Sequence, residues 1–367
     1  MGSIVDRKAR PEVFSLKPYV PGKPVEEVER ELGITGVIKL ASNENPLGPS
    51  PLAIARVEAA LQKLNMYPDG AYYYLRQALA GHYGLGEDAF LVGNGSDELL
   101  RLITETFVNP GDEVLYGVPS FSEYGFMALV MGGKCVEVPL KEMRFDLPAM
   151  RERITDRTKM VYICNPNNPT GSIVSRAATD EFMNSIPDDV LVIFDEAYYE
   201  YVTDKDYVSG LEYLAQGKNV IVLRTFSKVY GLAGLRVGYG ITTPEIAGAV
   251  NRVREPFNVN LLAQTAAIGA LADEQHLQKS RELNTKGRDY LYQEFSRMGL
   301  EYVPTEANFI FVDVKRDCRQ VFQALLKEGV IIRTGDIFGF PSHIRVTIGK
   351  PEENQRFITA LQKVLQA

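Results

Sequence analysis

The 367 residues are 45% hydrophobic and 24% charged, the balance of an ordinary globular chain long enough for two domains. A net charge of -7 argues against nucleic acid or an anionic membrane as the main partner, and three scattered cysteines with three isolated histidines argue against a disulfide framework, a zinc or thiolate metal centre and a Ser-His-Asp triad. No apolar run approaches the ~18 residues of a membrane span and the N-terminus has charge but no apolar secretory core, so a cytoplasmic protein is expected.

Pro11, Pro18, Pro21 and Pro24 predict an extended arm over residues 1–30, closing in a short helix over 25–32. A short strand beginning at Ile38 leads into the polar, proline-punctuated loop Ser42-Asn43-Glu44-Asn45-Pro46-Leu47-Gly48-Pro49-Ser50, and Ser50 is suited to cap a helix over 51–64. After the break at Met66-Tyr67-Pro68-Asp69-Gly70 a helix is expected over 72–83. Then Phe90-Leu91-Val92-Gly93-Asn94-Gly95-Ser96-Asp97-Glu98 reads as a strand, a glycine turn and a helix start. Backbone N–H groups at such a start can bind a phosphate without a cationic side chain, although the stretch is not a P-loop and alone suits a plain capped helix.

From there the pattern alternates. Strands are predicted over 113–116, 134–138, 159–164, 190–195 and 219–223, with helices over 121–131, 147–154 and 175–186. Near-continuous apolar strands separated by helices imply a parallel sheet covered on its faces, an α/β fold whose ligands sit at the C-terminal strand ends. Three loops lie at such ends: Asn165-Pro166-Asn167-Asn168-Pro169-Thr170-Gly171, Asp195-Glu196-Ala197-Tyr198 and Thr225-Phe226-Ser227-Lys228. Residues 258–300 are expected to be mostly helical. A smaller α+β module follows, with strands over 308–314, 330–333 and 344–348 and helices over 318–328 and 352–365.

A lysine on a loop after a buried strand can be desolvated and kept near other cations, which lowers its pKa and frees an amine for Schiff-base chemistry; Lys228 is placed for this. Ser227 and Arg236 offer a hydroxyl and a fixed positive charge for a phosphate. Asp195 can hold a pyridine nitrogen protonated, while the Asn168 amide and Tyr198 phenol can hold a ring oxygen. Each residue alone suits a turn, a cap or packing. Together, on successive strand ends, they outline a pyridoxal phosphate site.

These motifs, with Gly234-Leu235-Arg236, resemble the fold-type I PLP-dependent aminotransferases in order and separation. Within that family the chain is most similar to the histidinol-phosphate aminotransferases, through Ala41 to Ser50, Tyr67-Pro68-Asp69, Gly93 to Glu98 and Arg224 to Lys228. The resemblance implies a large domain with a mostly parallel sheet plus a smaller α+β domain: an arm and part of the small domain over 1–45, the PLP-binding domain over 46–262, and an inter-domain helix with the small domain over 263–367. It also implies pyridoxal 5'-phosphate as cofactor, with Lys228, Asp195 and Tyr198 catalytic. Lys228 would form the internal aldimine and then act as general base. The phosphate would rest on the Ser96 and Asp97 backbone, Ser227, Arg236 and Tyr67 from a second subunit, so a homodimer with a shared site is expected. Phe121 takes the ring-stacking position, where some relatives have tyrosine. Substrate contacts fall to Tyr19, Asn45, Arg333 and Arg345. The implied reaction is transamination of L-histidinol phosphate with 2-oxoglutarate in histidine biosynthesis. An aromatic amino acid aminotransferase, a phosphothreonine decarboxylase and a non-catalytic PLP-holding regulatory module are the alternatives.

Overall fold

A computed structural model of the chain describes residues 3–16, 18 and 22–366. The expected helix in the arm forms as Val25–Leu32 and stops at Gly33, whose φ of 65° is easily reached only without a Cβ. A two-residue strand, β1 (Ile38–Lys39), follows it.

Seven strands build the large sheet: β2 (Phe90–Gly93), β3 (Glu113–Val118), β4 (Lys134–Pro139), β5 (Thr158–Cys164), β6 (Leu191–Asp195), β7 (Val220–Thr225) and β8 (Gly238–Ile241). Their order is β2-β8-β7-β6-β5-β3-β4, and β8 alone runs antiparallel to its neighbours. In the middle of the sheet β6 and β7 are buried at every residue, as apolar strands covered by helices on both faces must be. The sequence reading did not include β8. Two of its four residues are glycine, which removes the β-branched signal, and the space demands at least one of them: a Cβ on Gly238 would lie 2.5 Å from the Ser96 amide nitrogen.

The smaller sheet has the order β12-β13-β10-β9, from β9 (Glu301–Val303), β10 (Phe309–Asp313), β12 (Arg333–Thr334) and β13 (His343–Thr347). The single strand expected over 330–333 is divided. Its first half, β11 (Val330–Ile331), pairs in parallel with β1, while β12 pairs antiparallel with β13, so the strand changes sheets at Ile332. The helical stretch expected over 258–300 is likewise two helices, Leu261–Leu271 and Glu274–Arg297. Asp273 separates them, its carboxylate capping the second helix at His276 N (3.0 Å) and accepting from Ser50 Oγ (2.8 Å).

One apolar core lies around the large sheet and a second around the small one, where Leu291, Phe295 and Phe357 pack against β10 and β13. Among the described residues no helix is long and apolar enough to cross a membrane.

Candidate active site

The C-terminal ends of β5, β6 and β7 open into a cavity of about 500 Å³. Parallel register sets its floor: Cys164 lies beside Asp195, and Asp195 beside Leu223, so the loops that follow the three strands leave the sheet at one level. Asn168, Asp195, Tyr198, Ser227 and Lys228 all line the cavity, as do Ser96, Asp97, Phe121 and Arg236. One concave space thus collects side chains spread over 140 positions of sequence.

Asp195 is 4% exposed and its carboxylate is held on both oxygens: Tyr124 OH donates to Oδ2 (2.6 Å) and Ala197 N to Oδ1 (3.2 Å). Burial raises this carboxyl from 3.8 to about 6, in spite of the two donors, which pull the other way. A cation set against it would restore full ionisation. Lys228 shows the opposite displacement. Desolvation first, then the Arg345 guanidinium, lowers its amine from 10.5 to about 8, with Nζ donating to the Ser42 carbonyl at 3.1 Å. A neutral amine is therefore available near physiological pH.

At one end of the cavity the helix Ser96–Phe107 begins after Gly95, at φ 83°. A Cβ on Gly95 would stand 2.7 Å from Arg236 Nη2, so the glycine admits the guanidinium to the helix N-terminus. Arg236 meets Asp97 there at 3.0 Å, both half-exposed. Ser227 lines the same space. The helix start, a hydroxyl and a guanidinium form a donor set suited to a phosphate dianion.

The other end belongs to the small domain. Arg333 and Arg345 are direct cross-strand partners on β12 and β13, so both side chains project from the same face of the sheet, and both line the cavity. Arg345 Nη2 donates to Ala41 O (2.8 Å), its Nη1 bonds Asn168 Oδ1, and its guanidinium carbon lies 5.1 Å from the Phe309 ring centre.

Asn45 and Tyr67 do not line this chain's cavity, and for Tyr67 that accords with its expected place in a second subunit's site. The Asn45 amide donates to Val229 O (2.7 Å) and Ser280 Oγ (2.8 Å), and its Oδ1 takes the Leu47 N–H, so the side chain is consumed in fixing the loop. Asn43, two residues earlier, occupies the wall instead and donates to Tyr198 OH at 3.1 Å. Tyr67 is 82% exposed and stacked on Phe257 with ring centres 4.8 Å apart, away from this chain's cavity. Tyr19 lies outside the described residues. Sequence reasoning also passed over Tyr124. Its only trace was its position three residues after Phe121 in a stretch expected to be helical; the helix begins at Glu123, and the Phe121 ring, just before it, meets Tyr124 edge to face.

The aminotransferase class I and II family profile matches residues 35–361. The chain belongs to this family. Histidinol-phosphate aminotransferase of Moorella thermoacetica is 58% identical over 359 residues, 98% of this chain and 93% of that protein, and histidinol-phosphate aminotransferase 2 of Carboxydothermus hydrogenoformans is 49% identical over 353 residues, 96% and 98%. Among solved structures, the histidinol-phosphate aminotransferase of Sinorhizobium meliloti in complex with pyridoxal-5'-phosphate superposes with a TM-score of 0.90 at 30% identity, over 97% of each chain. The architecture is that of a fold-type I PLP-dependent aminotransferase, and pyridoxal 5'-phosphate is its cofactor. The residues in the cavity fit that group: anion donors at the helix end, a buried carboxylate at the floor and an amine with lowered basicity on the same wall as Ser42.

Proposed function

We propose that this aminotransferase moves the amino group of L-histidinol phosphate to 2-oxoglutarate, giving imidazole acetol phosphate and L-glutamate in histidine biosynthesis. The observation that carries the reading is the arginine pair at the cavity wall, Arg333 opposite Arg345, beside a chain-long likeness to proteins named for this reaction. A two-step exchange presents the site with a phosphate monoester and then with dicarboxylates. Planar guanidinium groups bind either anion through paired hydrogen bonds.

Pyridoxal 5'-phosphate, when bound, supplies the electron sink that makes the hydrogen on the amine-bearing carbon acidic. This chain's residues do the rest. Lys228 Nζ holds the cofactor, then takes that proton and returns it. The Asp195 carboxylate keeps the ring nitrogen protonated, its charge directed by the Tyr124 hydrogen bond. Asn168 and Tyr198 hold the ring oxygen, and Phe121 covers the ring face. The Ser96 and Asp97 backbone, Ser227 and Arg236 hold the phosphate, with Tyr67 supplied by a second copy. An exposed apolar surface around Leu64, Met66, Tyr67 and Phe257 supports the homodimer. Tyr19 belongs to the proposal as a further substrate contact. Three free thiols and the acidic charge support a cytoplasmic setting. The division at 1–45, 46–262 and 263–367 belongs to the same proposal; the packing of Val28, Val37 and Leu40 with the C-terminal module supports its first boundary, while Ala263 to Leu271 pack in the core of the large sheet.

The test is the specificity constant of the PLP-loaded protein for L-histidinol phosphate against L-phenylalanine, each with 2-oxoglutarate. A preference for the phosphate ester of about 10³-fold or more, the scale of a buried charge contact, is expected. Equal or reversed preference would assign the protein to the aromatic aminotransferases, and carbon dioxide release from phosphothreonine would assign it to the decarboxylases.

A further inference from the structure

Residues 41–44 cross the cavity wall and touch most of the reactive groups within one short run. The Ala41 carbonyl accepts from Arg345 Nη2 (2.8 Å), the Ser42 carbonyl accepts from Lys228 Nζ (3.1 Å), and Asn43 Nδ2 donates to Tyr198 OH (3.1 Å). Asn43 is 1% exposed and every polar group it has is bonded. Its N–H donates to Thr347 Oγ1 (2.9 Å), its side-chain Oδ1 accepts from the same hydroxyl (3.1 Å), and its carbonyl accepts from Asn308 Nδ2 (2.9 Å). The backbone is left-handed at φ 58°, a conformation asparagine adopts more readily than other residues bearing a Cβ.

Thr347 and Arg345 are two apart on β13 and so project from one face of that strand. Both bond the 41–43 segment. A hydroxyl with a fixed donor on its oxygen lone pair has its own proton directed elsewhere, and the Tyr198 side chain faces the cavity. We infer that Asn43 is a positioning residue that orients the Tyr198 hydroxyl toward the cofactor ring oxygen and ties that orientation, through Thr347, to the strand carrying Arg345. This rests on the proposed reading of Tyr198 as a ring-oxygen contact. Arg345, Cys164, Asp195 and Tyr201 are ionisable groups that interact with that hydroxyl, and Lys228 Nζ stands 5.8 Å from the centre of its ring.

The experiment uses the PLP-loaded enzyme with Asn43→Gly, Asn43→Asp, Thr347→Val, Asn43→Gly with Thr347→Val, and Tyr198→Phe. Glycine and aspartate both tolerate the left-handed backbone, so neither variant adds strain. Measured are kcat, KM for both substrates, Kd for pyridoxal phosphate, the pH midpoint of the bound cofactor's visible absorbance, and Tm. Asn43→Gly is expected to raise that midpoint by about half a pH unit and to lower kcat about tenfold with KM changed less than about threefold, the scale of one lost hydrogen bond. Asn43→Asp, which exchanges the donor for an acceptor, moves the midpoint at least as far. Thr347→Val shifts it in the same direction by less, and the double variant is no worse than Asn43→Gly, because both changes act through one relay. An unchanged midpoint in the Asn43 variants with a shifted one in Tyr198→Phe overturns the inference alone, as do additive effects in the double variant or losses of kcat that merely follow Tm. An unchanged midpoint in Tyr198→Phe overturns the reading of Tyr198 and the inference with it.

Discussion

The two ends of the cavity are built in different ways. At the floor, Asp195 is the last residue of β6, Lys228 lies three residues past β7 and Asn168 four past β5, so hydrogen-bonded register in one sheet sets their spacing. At the arginine end, β12 and β13 come from another sheet, more than a hundred residues further on. They reach the floor through contacts such as Arg345 to Asn168 and Arg345 to Ala41. The floor cannot change without disturbing the sheet. The arginine end is carried by the smaller sheet, so its placement over the floor depends on those contacts between elements and not on register within one sheet.

Loss of the floor should have the largest effect. Lys228→Ala is expected to lower kcat by about 10⁴-fold and to abolish the yellow colour of the bound cofactor. Retained turnover with 2-oxoglutarate would show that another group acts as the base, whereas unchanged biological activity despite lost turnover would favour a non-enzymatic role. At the other end, Arg345→Gln should reduce kcat/KM for both substrates by about 10²- to 10³-fold, since a guanidinium that meets an anion in a sheltered site is removed. Arg333→Gln should fall about tenfold more for the phosphate ester than for 2-oxoglutarate. Uniform loss in Arg333→Gln would show that the two arginines do not divide the anions.

A smaller effect is expected on stability in the cofactor-free protein. The Lys228 amine titrates at about 8 folded against 10.5 unfolded, so burying its charge costs stability below about pH 8, and that cost is relieved as pH rises from about 8 toward 10.5. Asp195 behaves in the opposite sense: with a folded value near 6 against 3.8, it removes stability as pH rises from about 3.8 to 6. Lys228→Met should therefore stabilise by about 1–2 kcal/mol near pH 7, and the gain should shrink near pH 9.5 in urea titrations. A gain that does not shrink would mean the lysine is not depressed. The smallest change is Tyr124→Phe. It removes one donor from Asp195, raises that carboxyl further, and should weaken cofactor binding about three- to tenfold by equilibrium dialysis.

Legibility followed the same division. Lys228, Asp195, Tyr198 and Asn168 could be found because each follows an apolar run whose end is visible in the sequence, and a parallel sheet brings such ends together. β8 could not, because its two glycines carry no strand preference, and Gly238 answers to the Ser96 helix start, a contact distant in sequence. Asn43 and Asn45 stand two apart in one polar loop, and composition gives no ground for choosing between them. The choice was made by a left-handed turn at residue 43 and by Val229 and Ser280, which claim the Asn45 amide.

The sequence by itself determined the alternation of strands and helices and the strand-end loops, since those follow from hydrophobic periodicity and local backbone preference, and the side-chain chemistry on those loops, with their resemblance to a known family, pointed to a pyridoxal phosphate site. Only the tertiary structure decided that the strand over 330–333 divides between two sheets, that Tyr124 supports Asp195, and that residues 41–44 join Arg345, Lys228 and Tyr198. Such contacts join positions up to 304 residues apart. Their partners are chosen by packing and by the need to satisfy every buried polar group, neither of which a local pattern records.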